Sequence, residues 1–450
     1  MAIRLGTETA VYALSEGRQM PEFLSERQRR NLQKSDEEVR RRITLLQDFE
    51  FENGTSQRLK FSGDGQFLVV TGMYPPRCKV FELSQLGMKY ERRLGSECVD
   101  LCPLTCDLGK MAFLLSDRTL ELHAPYGTHY KVRVPTHGRS LAYDAGRCML
   151  WTAAAHGEIH GLDLDAGSFV SSLLITDTEN AHLKNIGLTR VQLAPLGLPL
   201  LAVGAEDGQT RFFDIRTKNA VAKLNGDAEI TALAFDPQLR GLRLAIGDAD
   251  AAVKIYDMRK REPISIKHHQ YELPIADIHF TNPPMSQGTQ SSMVISADPR
   301  VIKIWDPNKQ DKVLVNVETA APLTRAVIAP LNNNEYTSGL LLAAGDQSRI
   351  MAYYIPKLGP APRWCSFLES ITEELEEAEP TAFDDFRFVS KSELAELKAE
   401  HLIGTNHTKP YMHGFFIDAK LYRSLKAIAQ PFNYDEWRKE QQQKKTQSQA

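Results

Sequence analysis

The chain has 450 residues, 42% hydrophobic and 25% charged, with six cysteines and a formal net charge of −3. It holds no run of eighteen apolar residues and its start, "MAIRLGTETAVYAL", has no long apolar core, so neither a membrane span nor a secretory leader is expected; the few cysteines point to a reducing compartment rather than a disulfide framework. The slight acidity excludes a surface that is basic throughout, and any RNA contact must use a local patch.

The first element, "ETAVYALS" (8–15), reads as a strand without a neighbour in sequence. Residues 21–49 read as a helical insertion. Pro21 suits a first helical turn, and Ser35 with Glu38 forms a capping box that starts a second helix. Glu37 with Arg41 and Glu38 with Arg42 are spaced as i,i+4 pairs, and Val39, Ile43 and Leu46 make an apolar stripe. Arg27, Arg29, Arg30, Arg40, Arg41 and Arg42 crowd the same span. Such a cluster is either a solvated helical face or a patch that meets phosphates.

From residue 58 onward one sentence is repeated. A short apolar run ends in Gly or Asp, and an alternating strand follows, several times closing on an aromatic–Asp pair. "LLAVGAEDG" (200–208) precedes "TRFFDI", "RLAIGDAD" (243–250) precedes "VKIYDM", and "MVISADP" (293–299) precedes "VIKIWD". Seven copies fit, at a period of roughly 40 to 50 residues, the spacing of four-stranded propeller blades. Alternation puts Val253 and Ile255 on one face and Lys254 and Tyr256 on the other. The Asp after the aromatic is expected to cap a turn. The seventh copy, about 322–356, lacks an outer strand. The strand at 8–15 is expected to supply it and so hide an open sheet edge. The fold class is therefore all-β: a seven-bladed β-propeller over 1–356, closed by the N-terminal strand and carrying the 21–49 insertion.

Two further segments follow. Residues 357–380 form a Pro-rich linker, "PKLGPAPRWCSFL", and an acidic helix, "ESITEELEEAEP". Residues 381–450 mix a helical pattern, "KSELAELKAEHLI", with an aromatic block, "YMHGFF", and end in a polar, low-complexity stretch expected to be disordered. This extension is expected to be mostly helical or extended, to lack a core of its own and to fold against partners.

No catalytic or cofactor motif is present: neither a phosphate loop, a zinc helix nor a nucleophile elbow. Cys98, Cys102 and Cys106 recur every fourth residue, but Pro103 rules out one helix through them, and buried structural thiols are expected. His268 and His269 are expected to hydrogen-bond at a blade end. An enzyme at the propeller axis would need convergent polar groups, and no such constellation is evident in the sequence.

Five blocks resemble the nucleolar protein 10 family of WD-repeat proteins: "DEEVRRRITLLQDFEF" (36–51), "IKHHQYELPIADIHF" (266–280), "SADPRVIKIWD" (296–306), "YYIPKLGPAPRWCSFLESITEELEE" (353–377) and "HLIGTNHTKPYMHGFFIDAKLY" (401–422). The resemblance runs over nearly the whole chain. It implies a nucleolar assembly factor without enzymatic activity or cofactors, acting in early small-subunit ribosome biogenesis. The implied partners are the small-subunit processome proteins, precursor rRNA and box C/D small nucleolar RNA, with no membrane, no small-molecule substrate and a monomer in isolation. The family usually continues into a Lys- and Glu-rich region beyond "FNYDEWRKEQQQKK", and its contacts are not carried over. Arg29 and Arg30 are candidate contacts as members of the arginine cluster; by resemblance, the contact residues are Arg40, Arg41 and Arg42, then Arg363, Trp364 and Phe367, then Tyr411, His413, Phe415 and Phe416. The aromatic residues among them could equally dock on the chain's own propeller. A competing class is a substrate receptor of a cullin-type ubiquitin ligase, suggested by Arg216 and Arg259 two residues after Asp214 and Asp257.

Overall fold

The structure is a computed structural model. It describes residues 11–14, 49, 55–174, 186–195, 197–217, 219–282, 292–309, 313–332, 336–377, 386–403, 408–418, 421–422 and 424–425. The insertion expected over 21–49, with Arg29, Arg30, Arg40, Arg41 and Arg42, lies outside the described residues apart from Phe49. The expected disordered end lies outside them too. The chain divides into two compact units, Met1–Thr372 and Glu373–Ala450.

In the first unit the repeat becomes seven four-stranded antiparallel sheets, six of them meanders of four consecutive strands and the seventh a meander of three joined by the N-terminal strand. The first strands of the blades are Ser56–Phe61, Cys98–Pro103, Gly138–Asp144, Leu188–Leu193, Ile230–Phe235, Asp277–Phe280 and Leu323–Asn332. Each touches the first strand of the next blade, and the seventh touches the first, so the ring is closed about an axis. The meander follows from sequence: alternation buries both faces of each sheet against its neighbours, and short polar turns return the chain.

The turns are made as expected. The Asp214 carboxylate accepts a hydrogen bond from the Arg216 backbone N–H at 2.9 Å, Asp257 from Arg259 at 3.0 Å, and Asp306 from Asn308 at 2.9 Å. Each is an Asx turn that ends the third strand and starts the fourth.

The seventh blade is completed by the N-terminal strand, as its missing outer strand required. Tyr12 pairs with Tyr354 and Ala13 with Tyr353, and the Leu14 N–H donates to the Ala352 carbonyl at 2.8 Å. Val11, Tyr12, Ala13 and Leu14 are all buried. Blade one is also latched to blade seven: Ser56 Oγ donates to the Gly345 carbonyl at 3.2 Å and accepts from the Gly345 N–H at 3.1 Å.

The apolar core lies between neighbouring blades. Ala245, Val253 and Ile255 of blade five pack with Ile278, Val294 and Trp305 of blade six. Tyr256, on the other face of its strand, packs toward Ala202 and Phe212 of blade four. Each sheet thus contributes to two clusters, which is why both faces of these strands are apolar.

Cys98 and Cys102 are buried on the first strand of blade two, as expected, but Cys106 is exposed. It sits beyond the end of that strand, where the chain turns through residues 104–110. Burial, then the charge of nearby Asp100, pushes the Cys98 thiol up to about 12.

The second unit corrects the expectation of an extension without a core. It contains a three-stranded antiparallel sheet, Phe386–Ser390, Gly414–Asp418 and Thr408–Tyr411 in that order. The helix Lys391–Glu396 is short: the Ser390 hydroxyl caps it by accepting from the Glu393 N–H at 3.3 Å, and Lys398, at φ 53°, has already left it. Val389, Leu394, Leu397, Ala399, Phe415, Ile417 and Tyr422 form a common cluster. These residues are scattered over more than thirty positions, so no single window of sequence displays the core. The helix Phe367–Glu377, where the acidic run was expected, spans the division between the units.

Candidate functional site

The first strands carry a shared irregularity. In six blades the register against the second strand slips by one residue near the start of the first strand. A β-bulge of this kind re-aims the next side chain. The residues just after the slips are Arg58, Asp100, Ser140, Arg190, Ala232 and Arg325. Asp277 holds the matching position in blade six, since its partner Ala297 pairs onward with Ile302 as Ala232's partner Gly247 does with Val253. One polar tier therefore encircles the axis, broken only by Ala232. Two residues further along, Lys60, Gln192 and His279 join it in lining an axial cavity of about 580 Å³.

The tier is electrostatically uneven. Arg325 donates to the Asp277 carboxylate at 2.8 Å, and Asp277 also lies 3.3 Å from His279 Nε2. Asp100 accepts from the Ser140 hydroxyl at 3.2 Å and from the Leu141 and Leu101 N–H groups at 2.9 Å each. Burial alone would raise both carboxyls. For Asp100 the charge of Lys60 and then of Arg58 outweighs it, and for Asp277 that of Arg325 and then His279, so both stay ionised. Burial and then repulsion from Arg325 pull the Arg58 guanidinium down to about 10. Burial, then Arg325 and Arg58, pull Arg190 down to about 9. Both remain charged at neutral pH. The axis does hold convergent polar groups, which corrects the expectation of none. Among the described residues no group of three metal-ligating side chains occurs. The Ser140 hydroxyl donates to the Asp100 carboxylate and makes no hydrogen bond to a histidine among the described residues.

The other candidate residues fall in three places. Arg216 and Arg259 are exposed, yet each guanidinium folds back on the Asp two residues earlier, Arg216 Nη2 at 3.1 Å from Asp214 and Arg259 Nη2 at 2.7 Å from Asp257. Arg363, Trp364 and Phe367 follow the last blade. Leu358 joins the cluster between blades six and seven, the Pro360 carbonyl accepts from the Gly339 N–H at 2.9 Å, and Cys365 and Leu368 are fully buried. The linker is thereby docked on its own propeller unit, while Arg363 and Phe367 stay exposed and Trp364 is half-buried.

Tyr411, His413, Phe415 and Phe416 lie in the second unit. Phe415 is buried in its core. Phe416 stacks edge-on with Phe388 and Tyr411, at ring-centroid distances of 5.6 and 5.3 Å. Phe388 is 46% exposed, Tyr411 50% and Met412 87%, so the unit presents a clustered apolar patch. His413 is exposed in the turn beside it. The sequence already marked Tyr411 and Phe416 and quoted Met412 within the same block without singling it out, but missed Phe388, which joins them only through its pairing with Phe416.

Residues 4–379 match the family model described as "Nucleolar protein 10-like, N-terminal domain", and residues 382–430 match "Nucleolar protein 10-like, second domain". The chain is 38% identical over 446 residues to "Nucleolar protein 10" of Xenopus laevis, covering 96% of this chain and 61% of that protein. It is 38% identical over 444 residues to "Nucleolar protein 10" of Homo sapiens, with the same coverage of 96% and 61%. It is 37% identical over 444 residues to the "Ribosome biogenesis protein enp2 homolog" of Schizosaccharomyces pombe, covering 95% of this chain and 67% of that protein. The chain thus spans about 61% of the length of the vertebrate relatives.

Proposed function

The chain belongs to the nucleolar protein 10 family, and from that premise we propose that it is a nucleolar, non-enzymatic scaffold in early small-subunit ribosome biogenesis. It acts within the small-subunit processome by holding proteins, precursor rRNA and box C/D small nucleolar RNA in register. The observation that carries this is the match of two consecutive family domains across residues 4–379 and 382–430, together with relatives whose names state ribosome biogenesis. The architecture supports it: a closed ring offers rigid faces, and the second unit offers an exposed aromatic patch beside its folded core. Arg29, Arg30, Arg40, Arg41 and Arg42 supply phosphate contacts, while Arg363, Trp364, Phe367, Tyr411, His413 and Phe416 supply protein contacts. Many modest contacts add through multivalency, so none has to be strong alone.

The test is purification of the tagged protein from cells at moderate salt, with its RNA and protein partners identified. Recovery of precursor rRNA, box C/D small nucleolar RNA and small-subunit assembly factors is expected. Recovery of a cullin adaptor without ribosomal precursors overturns the scaffold and moves attention to Arg216 and Arg259.

A further inference from the structure

The axial cavity carries more positive charge than its own carboxylates neutralise. Arg58, Lys60, Arg190 and Arg325 line it against Asp100 and Asp277, and His279 joins the cationic side when protonated. Asp277 is engaged by Arg325 at 2.8 Å, and Lys60 lies 4.0 Å from Asp100. Arg58 and Arg190 form no ion pair among the described residues. Each is anchored by its Nε, which donates at 2.7 Å to a backbone carbonyl of the following blade, Val99 for Arg58 and Thr231 for Arg190. That anchor fixes the plane of each guanidinium and leaves the paired Nη edge uncommitted, the arrangement that grips an oxyanion bidentately. The two stand three blades apart in a ring of seven, on roughly opposite walls. Like charges held together in a low-dielectric lining repel one another unless an anion lies between them.

We propose that the axial cavity is a binding site for a small, multiply charged phosphate-type anion, held between Arg58 and Arg190 and flanked by Lys60. The net excess of two positive charges calls for a polyvalent ligand rather than a chloride-like one. A volume of about 580 Å³ is the size of small-molecule sites, whereas a strand of RNA needs an open groove for its backbone to run through. The ligand is a structural or regulatory anion, not a substrate, since no group in the lining is arranged to cleave a phosphate. This inference is independent of the scaffold role and stands or falls without it.

The experiment is calorimetric titration of the full chain with pyrophosphate and with inositol hexakisphosphate, at constant ionic strength set by sodium chloride. Binding with one-to-one stoichiometry is expected. The double variant Arg58→Met, Arg190→Met is expected to weaken it at least tenfold while melting as a folded protein. Should that variant not fold, the same titration is read on Lys60→Met, which removes a half-exposed charge 4.0 Å from Asp100 and leaves the Nε–carbonyl anchors of Arg58 and Arg190 in place; a fivefold or greater loss supports the site. Absent binding, or equal affinity in the folded variants, overturns it. A ten-nucleotide single-stranded RNA that binds more tightly than either probe, and loses affinity in the same variants, also overturns it, by making the ligand a nucleic acid.

Discussion

His269 Nδ1 lies 2.9 Å from Asp298 Oδ2, and its Nε2 lies 2.8 Å from Ser296 Oγ, in a site where both the ring and the carboxylate are fully buried. Ser296 Oγ also accepts from Trp305 Nε1 at 3.3 Å, so a chain of four side chains ties the end of blade five to the second and third strands of blade six. The histidine expected to hydrogen-bond at a blade end is thus part of an inter-blade clamp. Replacing either His269 or Asp298 by Ala removes one buried hydrogen bond from its partner, while Asp298 keeps the Arg300 and Val301 N–H groups and His269 keeps Ser296, and a loss of about 1–3 kcal/mol is expected. Denaturant unfolding of the full chain, following the propeller transition, measures it.

The same clamp makes stability depend on pH. Burial holds the His269 imidazole below its usual value, against the hydrogen bond and charge of Asp298 and with a smaller push from Lys303. Burial likewise depresses His123 and His160, each against a neighbouring glutamate, Glu121 and Glu158. For these groups the unfolded chain binds protons that the folded chain does not. Their contribution is present above the unfolded value of about 6.5 and is lost as pH falls through and below it. His279 runs the other way: burial lowers it, but Asp277 more than compensates, so its contribution is present at low pH and lost as pH rises. Three groups oppose one, and a lower melting temperature at pH 5.5 than at pH 7.5 is expected. A melting series from pH 5 to 8 checks this, and Asp298→Asn is expected to change its slope.

The N-terminal strand pairs with the last strand of blade seven through Tyr12 and Ala13. Tyr12 is buried and pairs with Tyr354 on the outer edge of blade seven. Tyr12→Ala removes a large buried side chain, at an expected loss of about 3–5 kcal/mol. Removal of residues 1–14 uncovers the edge of the strand Met351–Tyr354, and self-association is expected. Calorimetric melting reads the first variant and light scattering the second.

Gly208 adopts φ +77° in the turn after the second strand of blade four, and a Cβ there would lie 2.8 Å from the backbone oxygens of Ala228 and Gly226. Both the conformation and the space require glycine. Gly208→Ala is expected to destabilise by about 1–3 kcal/mol. Unfolding midpoints at constant m-value check it.

If the aromatic patch of the second unit is a contact surface, as proposed above, it can be tested apart from folding. Tyr411 and Met412 are exposed, so Tyr411→Ser with Met412→Ser is expected to change stability by less than about 1 kcal/mol. The same change is expected to lower recovery of precursor particles severalfold. Ile417→Ala, in the buried cluster, serves as the contrasting variant that lowers stability itself.

What could be read from the sequence follows from how local each signal is. The aromatic–Asp strands announced the blades because the alternation and the turn residue sit within six positions, as in "VKIYDM". The closing strand was legible by subtraction, since blade seven lacked one. The polar tier was not. Arg58, Asp100, Arg190 and Arg325 read as ordinary strand charges until the bulges place them on one ring, and Asp277 until its pairing with Ala297 does. The signal was present in the first strands, where "QRLKF", "VDLCP", "TRVQL", "ADIHF" and "TRAVI" each carry a charge at the second position. Reading it required treating seven strands as one column. The core of the second unit was hidden for a different reason: Val389 meets Phe415 across a sheet whose strands are far apart in sequence.

The pairing of Tyr12 with Tyr354 joins two points separated by about 340 residues of chain. During synthesis at about 5–20 residues per second, the strand that finishes the ring leaves the ribosome tens of seconds before its partner does. Over that interval six blades can stack in order while the first-made strand waits, its apolar residues unburied. The last pairing of the ring is therefore made by a segment synthesised well before its partner. Until the seventh blade is made, the strand Tyr12–Ala13 has no native partner to pair with.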